Sequence, residues 1–138
     1  MSIKIDNNVF KILEDDGIEN IDFKNENNLI YDIHGIIKKN QNLKNWSKRV
    51  VNTESNSATL ICQLPGEGNR RHYHSNWNEW WYILKGEWKF EIEEETYNIK
   101  EGQLILIKKN HKHKITAIGT QPAIRLAVSR SDVDHIYD

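Results

Sequence analysis

From Leu29 onward the chain is a succession of short runs rich in Ile, Val, Trp and Tyr, bounded by Asn, Gly and charged clusters and alternating apolar with polar residues. A period of two is the signature of half-buried strands. The pattern predicts strands near 29–37, 47–52, 57–64, 70–75, 79–85, 87–93, 96–99, 103–107, 112–118 and 123–129, with turns such as Pro65-Gly66-Glu67-Gly68 and Lys85-Gly86. Many short strands with short links and no intervening helix exclude a parallel α/β sheet and call for an antiparallel sandwich or barrel. The fold class expected is all-β.

Ahead of this region, Val9, Ile12 and Leu13 fall at i, i+3 and i+4 before the Asp15-Asp16-Gly17 breaker, which predicts one short helix. The expected organisation is an N-terminal segment over 1–28 packing on a barrel over 29–129, and a polar tail or edge-covering segment over 130–138. At 138 residues the chain has the size of one domain. Lys and Arg total 19 against 20 Asp and Glu, so no overall basic field exists to hold nucleic acid or an anionic membrane. No apolar run approaches the roughly 20 residues that span a bilayer, and the start lacks a signal peptide's hydrophobic segment, so a cytoplasmic protein is expected. The single cysteine, Cys62, reads as a small buried apolar residue.

Chemistry concentrates between Gly66 and Gly86. In a strand His72 and His74 project to one face, and Glu79 can return to them after a short turn, so the three form a claw for a divalent ion. Two imidazoles and a carboxylate suit a first-row metal and leave positions open for water, O₂ or substrate. A fourth ligand is expected from a later strand, and His111 and His113, two residues apart, are equal candidates by spacing. His34 and His135 read as inert surface residues.

Residues 66–86 resemble the first signature of the cupin superfamily, G-x5-H-x-H-x4-E-x6-G, with Gly66, His72, His74, Glu79 and Gly86 at every fixed position. The second signature, G-x5-P-x-G-x2-H-x3-N, is met in part: Gly102 and His113 fit, whereas Lys108, Asn110 and Ala117 replace the Pro, Gly and Asn. The resemblance implies a jelly-roll β-barrel with the metal inside, commonly dimeric, and it selects His113 as the fourth ligand. His111 then becomes a rim or substrate contact. Asn110 tolerates the positive φ that a turn glycine supplies.

Further roles follow from alternation. Arg70 shares the face of His72 and His74, so it is expected at the barrel mouth, clamping an anionic substrate beside the metal. Trp77 and Trp81 are candidate pocket walls, and Tyr82 and His111 candidate proton carriers. Trp80, Tyr82 and Leu84 make an apolar outer face that asks for a cover, a partner subunit or the N-terminal segment, and a homodimer is expected. The stretch Glu79–Gly86 is similar to the E-x-x-Y-x-L-x-G of 3-hydroxyanthranilate dioxygenases.

Three function classes stand at this point. The leading one is an Fe(II)-dependent dioxygenase acting on a small anionic molecule. The second is a non-redox isomerase, epimerase or lyase using Mn, Ni or Zn as a Lewis acid. The third is a binding module without turnover, for a sugar or an acid.

Overall fold

The computed structural model describes residues 3–24 and 26–137; Met1, Ser2, Asn25 and Asp138, which belong to the predicted N-terminal segment and tail, lie outside the described residues. In chain order the elements are β1 (Lys4–Asp6), α1 (Val9–Asp15), β2 (Ile21–Asp22), α2 (Ile33–Lys39), β3 (Trp46–Asn52), β4 (Ser57–Gln63), β5 (His72–Tyr73), β6 (Glu79–Lys85), β7 (Glu87–Ile92), β8 (Glu95–Lys100), β9 (Leu104–Ile107), β10 (His113–Ile118), β11 (Ala123–Ser129) and β12 (His135–Tyr137). Strands β3 to β11 fall where the alternation places them.

Two sheets form, β1-β12-β5-β10-β7-β8 and β2-β3-β4-β11-β6-β9. Every pairing is antiparallel except β2 with β3. The expected all-β jelly-roll architecture is the one observed.

Inside the barrel, Ile83, Trp88, Phe90, Ile99, Ile107, Ile115 and Ala117 fill one end as a dry plug. Their alternation with polar residues on β7 and β10 is what sends them inward together. At the other end β3, β4, β6 and β11 turn Arg49, Thr59, Glu79, Arg125 and Ser129 inward among apolar neighbours, and α1 covers them: Leu13 packs with Ile18 and Ile61. Asn8 caps that helix by accepting from the Lys11 amide at 3.1 Å. The interior is thereby divided into an apolar half and a polar chamber.

One expectation fails here. The predicted strand at 29–37 is instead an exposed stretch at Leu29 and Ile30 followed by α2. Ile33, Ile36 and Ile37 stand at i, i+3 and i+4, a helical stripe, and Asp32 caps it by accepting from the Gly35 amide at 3.1 Å. The stripe packs on Trp46, Leu60, Cys62 and Ile124, the outer face of β3, β4 and β11, together with Leu84. Burial there raises the Cys62 thiol to about 11. Because α1 covers one face and α2 the other, β4 is buried along its whole length. The cover for this outer face is thus the chain's own N-terminal region, in part: Trp80, Leu104 and Leu106 remain exposed.

At the C-terminus the edge-covering alternative is the one observed. Residues 135–137 are a strand inserted between β1 and β5, with Tyr137 opposite His72 and Ile136 opposite Tyr73. Gly86 turns the chain between β6 and β7 at φ +78°, where an added Cβ would lie 2.8 Å from the Cβ of Ala123. No helix among the described residues is long and apolar enough to cross a membrane.

Candidate metal centre

His72 on β5, His74 just beyond it, Glu79 opening β6 and His113 opening β10 converge at the boundary between the plug and the polar chamber. His74 and His113 are 0% exposed, and His72 and Glu79 are buried. His113 pairs across the sheet with His72, and their ring centroids are 4.4 Å apart. His74 lies 4.8 Å from His72 and 5.0 Å from His113 by the same measure.

Each of the three rings is held by its Nδ1. His72 donates to the Arg70 carbonyl at 2.7 Å, His74 to the Asp134 carbonyl at 2.5 Å and His113 to the His111 carbonyl at 2.8 Å. A carbonyl only accepts, so Nδ1 carries the proton and Nε2 is left to face the centre, the usual arrangement for ligating imidazoles. His74 Nε2 lies 3.1 Å from Glu79 Oε1, His113 Nε2 lies 3.9 Å from the same oxygen, and His113 Nε2 is buried without a hydrogen bond. An orphaned Nε2 beside a buried carboxylate oxygen fits a divalent ion.

The electrostatics agree. Burial, reinforced by His74, holds the His113 ring down at about 4, and burial with the neighbouring imidazoles pushes His72 well below its ordinary value. Neutral rings are the ligating form; His74 departs from this in the metal-free chain, where burial pulls it down but the Glu79 carboxylate raises it above its ordinary value. Burial alone would raise Glu79, but the His74 charge beside it holds the carboxylate at about 2.

A further imidazole adjoins the cluster. His135 on β12, expected to be an inert surface residue, is buried and stacks on His72 with centroids 4.8 Å apart and planes 29° apart. Donor atoms of His72, His74 and His135 lie within 4.8 Å of one another, as do those of His74, Glu79 and His113, so His74 belongs to both sets.

The other sequence candidates separate. Trp81 is 2% exposed, lines the polar chamber and packs edge-on to His113 at 5.8 Å. Trp77 sits half-exposed at the rim with the Arg130 guanidinium over its ring at 4.4 Å. Tyr82 alternates out of the barrel with Leu84 and stands between Leu104 and Leu126, so it does not reach the chamber. His111 precedes β10, with its ring turned back to the Lys109 carbonyl, and stays outside the cluster.

Arg70 also departs from its expected place. Regular pairing on β5 begins only at His72, so strand alternation does not extend back to Arg70. Its guanidinium lies over the Tyr137 ring, donates to the Tyr137 hydroxyl at 3.0 Å and approaches Asp15 and Asp16 at 3.9 and 3.7 Å. It does not line the chamber.

Three arginines that sequence reasoning passed over do line it: Arg49 on β3, Arg125 on β11 and Arg130 just after β11, the last at the rim over Trp77. A signal was present. On β11 the inward set is Ala123, Arg125, Ala127 and Ser129, a cation among small residues. Asp16, at the end of α1, closes the same chamber. Its carboxyl is pushed up to about 6 by burial, against the pull of Arg125 and Arg70.

A two-sheet β-barrel carrying an inward His/Glu cluster that could hold a metal ion defines the class of protein. Residues 59–129 match the family described as Cupin domain, and the chain belongs to that family. No curated protein matches it by sequence. Among solved structures it is similar to an RmlC-like cupin family protein with a double-stranded β-helix fold from Methanocaldococcus jannaschii, at 28% identity and TM-score 0.58, covering 64% of this chain and 82% of that one. It is also similar to a putative sugar phosphate isomerase from Acidithiobacillus ferrooxidans, at 23% identity and TM-score 0.58, covering 62% of this chain and 58% of that one. KdgF from Halomonas sp. aligns at 18% identity and TM-score 0.57, covering 60% and 74%.

Proposed function

We propose that this chain is a metal-dependent enzyme that isomerises, epimerises or eliminates from a small molecule without oxidising it. The observation that carries the reading is His135. It joins His72 and His74 in one buried donor triple, while His74, Glu79 and His113 form the other, so a first-row ion held there would have more protein donors at hand than the four expected from the sequence. An oxygenase would need adjacent open positions for O₂ and substrate, and a surplus of protein donors weighs against that expectation.

A divalent ion held by His72, His74, Glu79 and His113 would supply Lewis-acid chemistry at a carbonyl or hydroxyl oxygen. Asp16 moves the proton. Its Oδ1 is buried without a hydrogen bond, and a carboxyl at about 6 both takes and returns a proton near neutral pH. Trp81 walls the chamber and α1 excludes water from it. The name sugar phosphate isomerase on one of the fold relatives is in keeping with this class of reaction.

The test uses the full chain, purified without oxygen and loaded in turn with Mn, Fe, Ni and Zn. It is presented with a panel of keto and hydroxy sugar acids and sugar phosphates in D₂O. Deuterium entering the carbon beside the carbonyl, at the same rate with and without O₂, is the expected result. O₂ uptake in proportion to substrate loss would restore the oxygenase reading.

We also propose a homodimer, now through a narrower surface. Trp80 pairs with Leu106 and Tyr82 with Leu104 on β6 and β9, and Trp80, Leu104 and Leu106 are the apolar side chains that α2 leaves uncovered. Leu106→Glu is expected to convert a dimer to a monomer in sedimentation at micromolar concentration with the melting temperature nearly kept. A parent chain that already sediments as a monomer removes the proposal.

A further inference from the structure

The polar chamber holds two buried cations with no carboxylate in ion-pair contact among the described residues. Arg125 is 3% exposed and Arg49 5%. Arg125 donates from Nη1 to Gln63 Oε1 at 2.6 Å, its plane lies over Trp88 and Trp81 at 4.7 and 5.3 Å, and its Nε is buried without a partner. Arg49 donates from Nε to the Thr59 hydroxyl at 3.1 Å and lies over the Phe23 ring at 4.3 Å. Among the described residues neither guanidinium has a carboxylate within 4.0 Å. Asp16 and Glu79 act on Arg125 only through space, and both groups stay charged at neutral pH, since burial lowers them only to about 10.

An isolated buried charge is strongly unfavourable unless something supplies its counter-ion. In an apolar plug such groups would have been replaced by hydrocarbon. Here both face one cavity of about 60 Å³, lined as well by Thr59, Ser129, Glu79 and His135. At roughly 10–15 Å³ for each water, that is room for a handful of small-molecule atoms. Arg49 also borders a more open hollow with Phe10, Phe23 and Asn52, which places it at the entrance, whereas Arg125 borders the chamber alone.

We infer that Arg125, assisted by Arg49 at the entrance, binds the oxyanion of a small carboxylate or phosphate ligand inside the barrel, next to the metal centre. This deepens the functional reading above by naming the charged group of the substrate. It transfers to two other residues the anion-clamping role expected of Arg70, whose own charge is met by Asp15 and Asp16. Planar guanidinium forks suit paired oxygens. The unused Arg125 Nε and the Ser129 hydroxyl, also buried without a partner, are donors of the right kind.

The experiment reads binding without turnover, so it stands apart from the reaction class. The full chain, treated with a chelator or loaded with Mn, is titrated with malonate, with inorganic phosphate and with uncharged malonamide, following the melting temperature in low-chloride buffer. A saturable rise with malonate or phosphate and none with malonamide is expected, and it persists in the chelated protein. The tighter of the two anions identifies a carboxylate or a phosphate ligand. Arg125→Met is expected to lower anion affinity at least tenfold while melting no lower than the parent without ligand, and Arg49→Gln to lower it several-fold. Arg125→Lys, which keeps the charge without the fork, should fall between parent and Arg125→Met. Equal anion stabilisation in all variants, none in the parent, or an Arg125→Met chain that melts far lower without ligand would overturn the inference; the last would make the guanidinium a brace for Gln63.

Discussion

Replacing His74 by alanine is expected to strip the protein of its divalent ion and to destabilise the metal-free chain as well. His74 belongs to both donor triples, so its loss breaks each of them. Removing a partner that merely orients a ligand weakens metal binding roughly 10–100-fold, and removing the shared ligand is expected to exceed that. In the metal-free chain the His74 ring is the nearest partner of the buried Glu79 carboxylate, at 3.1 Å. Leaving that charge unpaired costs on the order of 3–5 kcal/mol. Metal content by mass spectrometry and denaturant unfolding of chelated protein read the two effects separately. His135→Ala should lower metal affinity less, since His135 belongs to one triple. The reverse ranking would remove His74 from the centre of the cluster.

Asp16→Asn is expected to make the protein more stable at pH 8 and to abolish turnover. The folded carboxyl titrates near 6 rather than 3.8, chiefly because it is buried. A raised carboxyl means that the fold holds a proton the unfolded chain releases, so stability falls as pH rises from about 4 to about 6 and the full penalty stands above that window. At about 1.4 kcal/mol per pH unit the penalty is about 2–3 kcal/mol. The charged groups facing the carboxyl are Arg125, Arg70 and Asp15. Unfolding curves at pH 4, 6 and 8 should diverge between parent and variant with rising pH. A variant less stable than the parent at pH 8 would make Asp16 an ionised partner of the arginines and not a proton carrier.

What could be read from the sequence was whatever is local. Glu79–Lys85 forms β6 as expected because alternation of Glu79, Trp81 and Ile83 with Trp80, Tyr82 and Leu84 is a property of the strand alone. Asn110 takes φ +69°, as its place in the turn before β10 requires. The segment at 29–39 failed because β-branched residues mimic a strand, although the spacing of Ile33, Ile36 and Ile37 behind Asp32 is helical. His135 was missed for a different reason. Residues 130–138 are polar on average, and only pairing with β5, some 60 residues earlier, turns His135 inward. Arg70 shows the limit of alternation: it is valid only within a strand, and β5 is two residues long.

The insertion of β12 between β1 and β5 has a kinetic meaning. Lys4 pairs with Tyr137 and Asp6 with His135, so that sheet closes only when segments about 130 residues apart have met. Closing so long a loop makes a contact of this kind late in folding. One imidazole of the cluster rides on the element that docks last, and Asp134, whose carbonyl holds the His74 ring, precedes it by one residue. Capture of an ion by the cluster would then be tied to the closing step, and the ion would in turn act as a latch: once it was held, β12 could not peel away without giving up a donor.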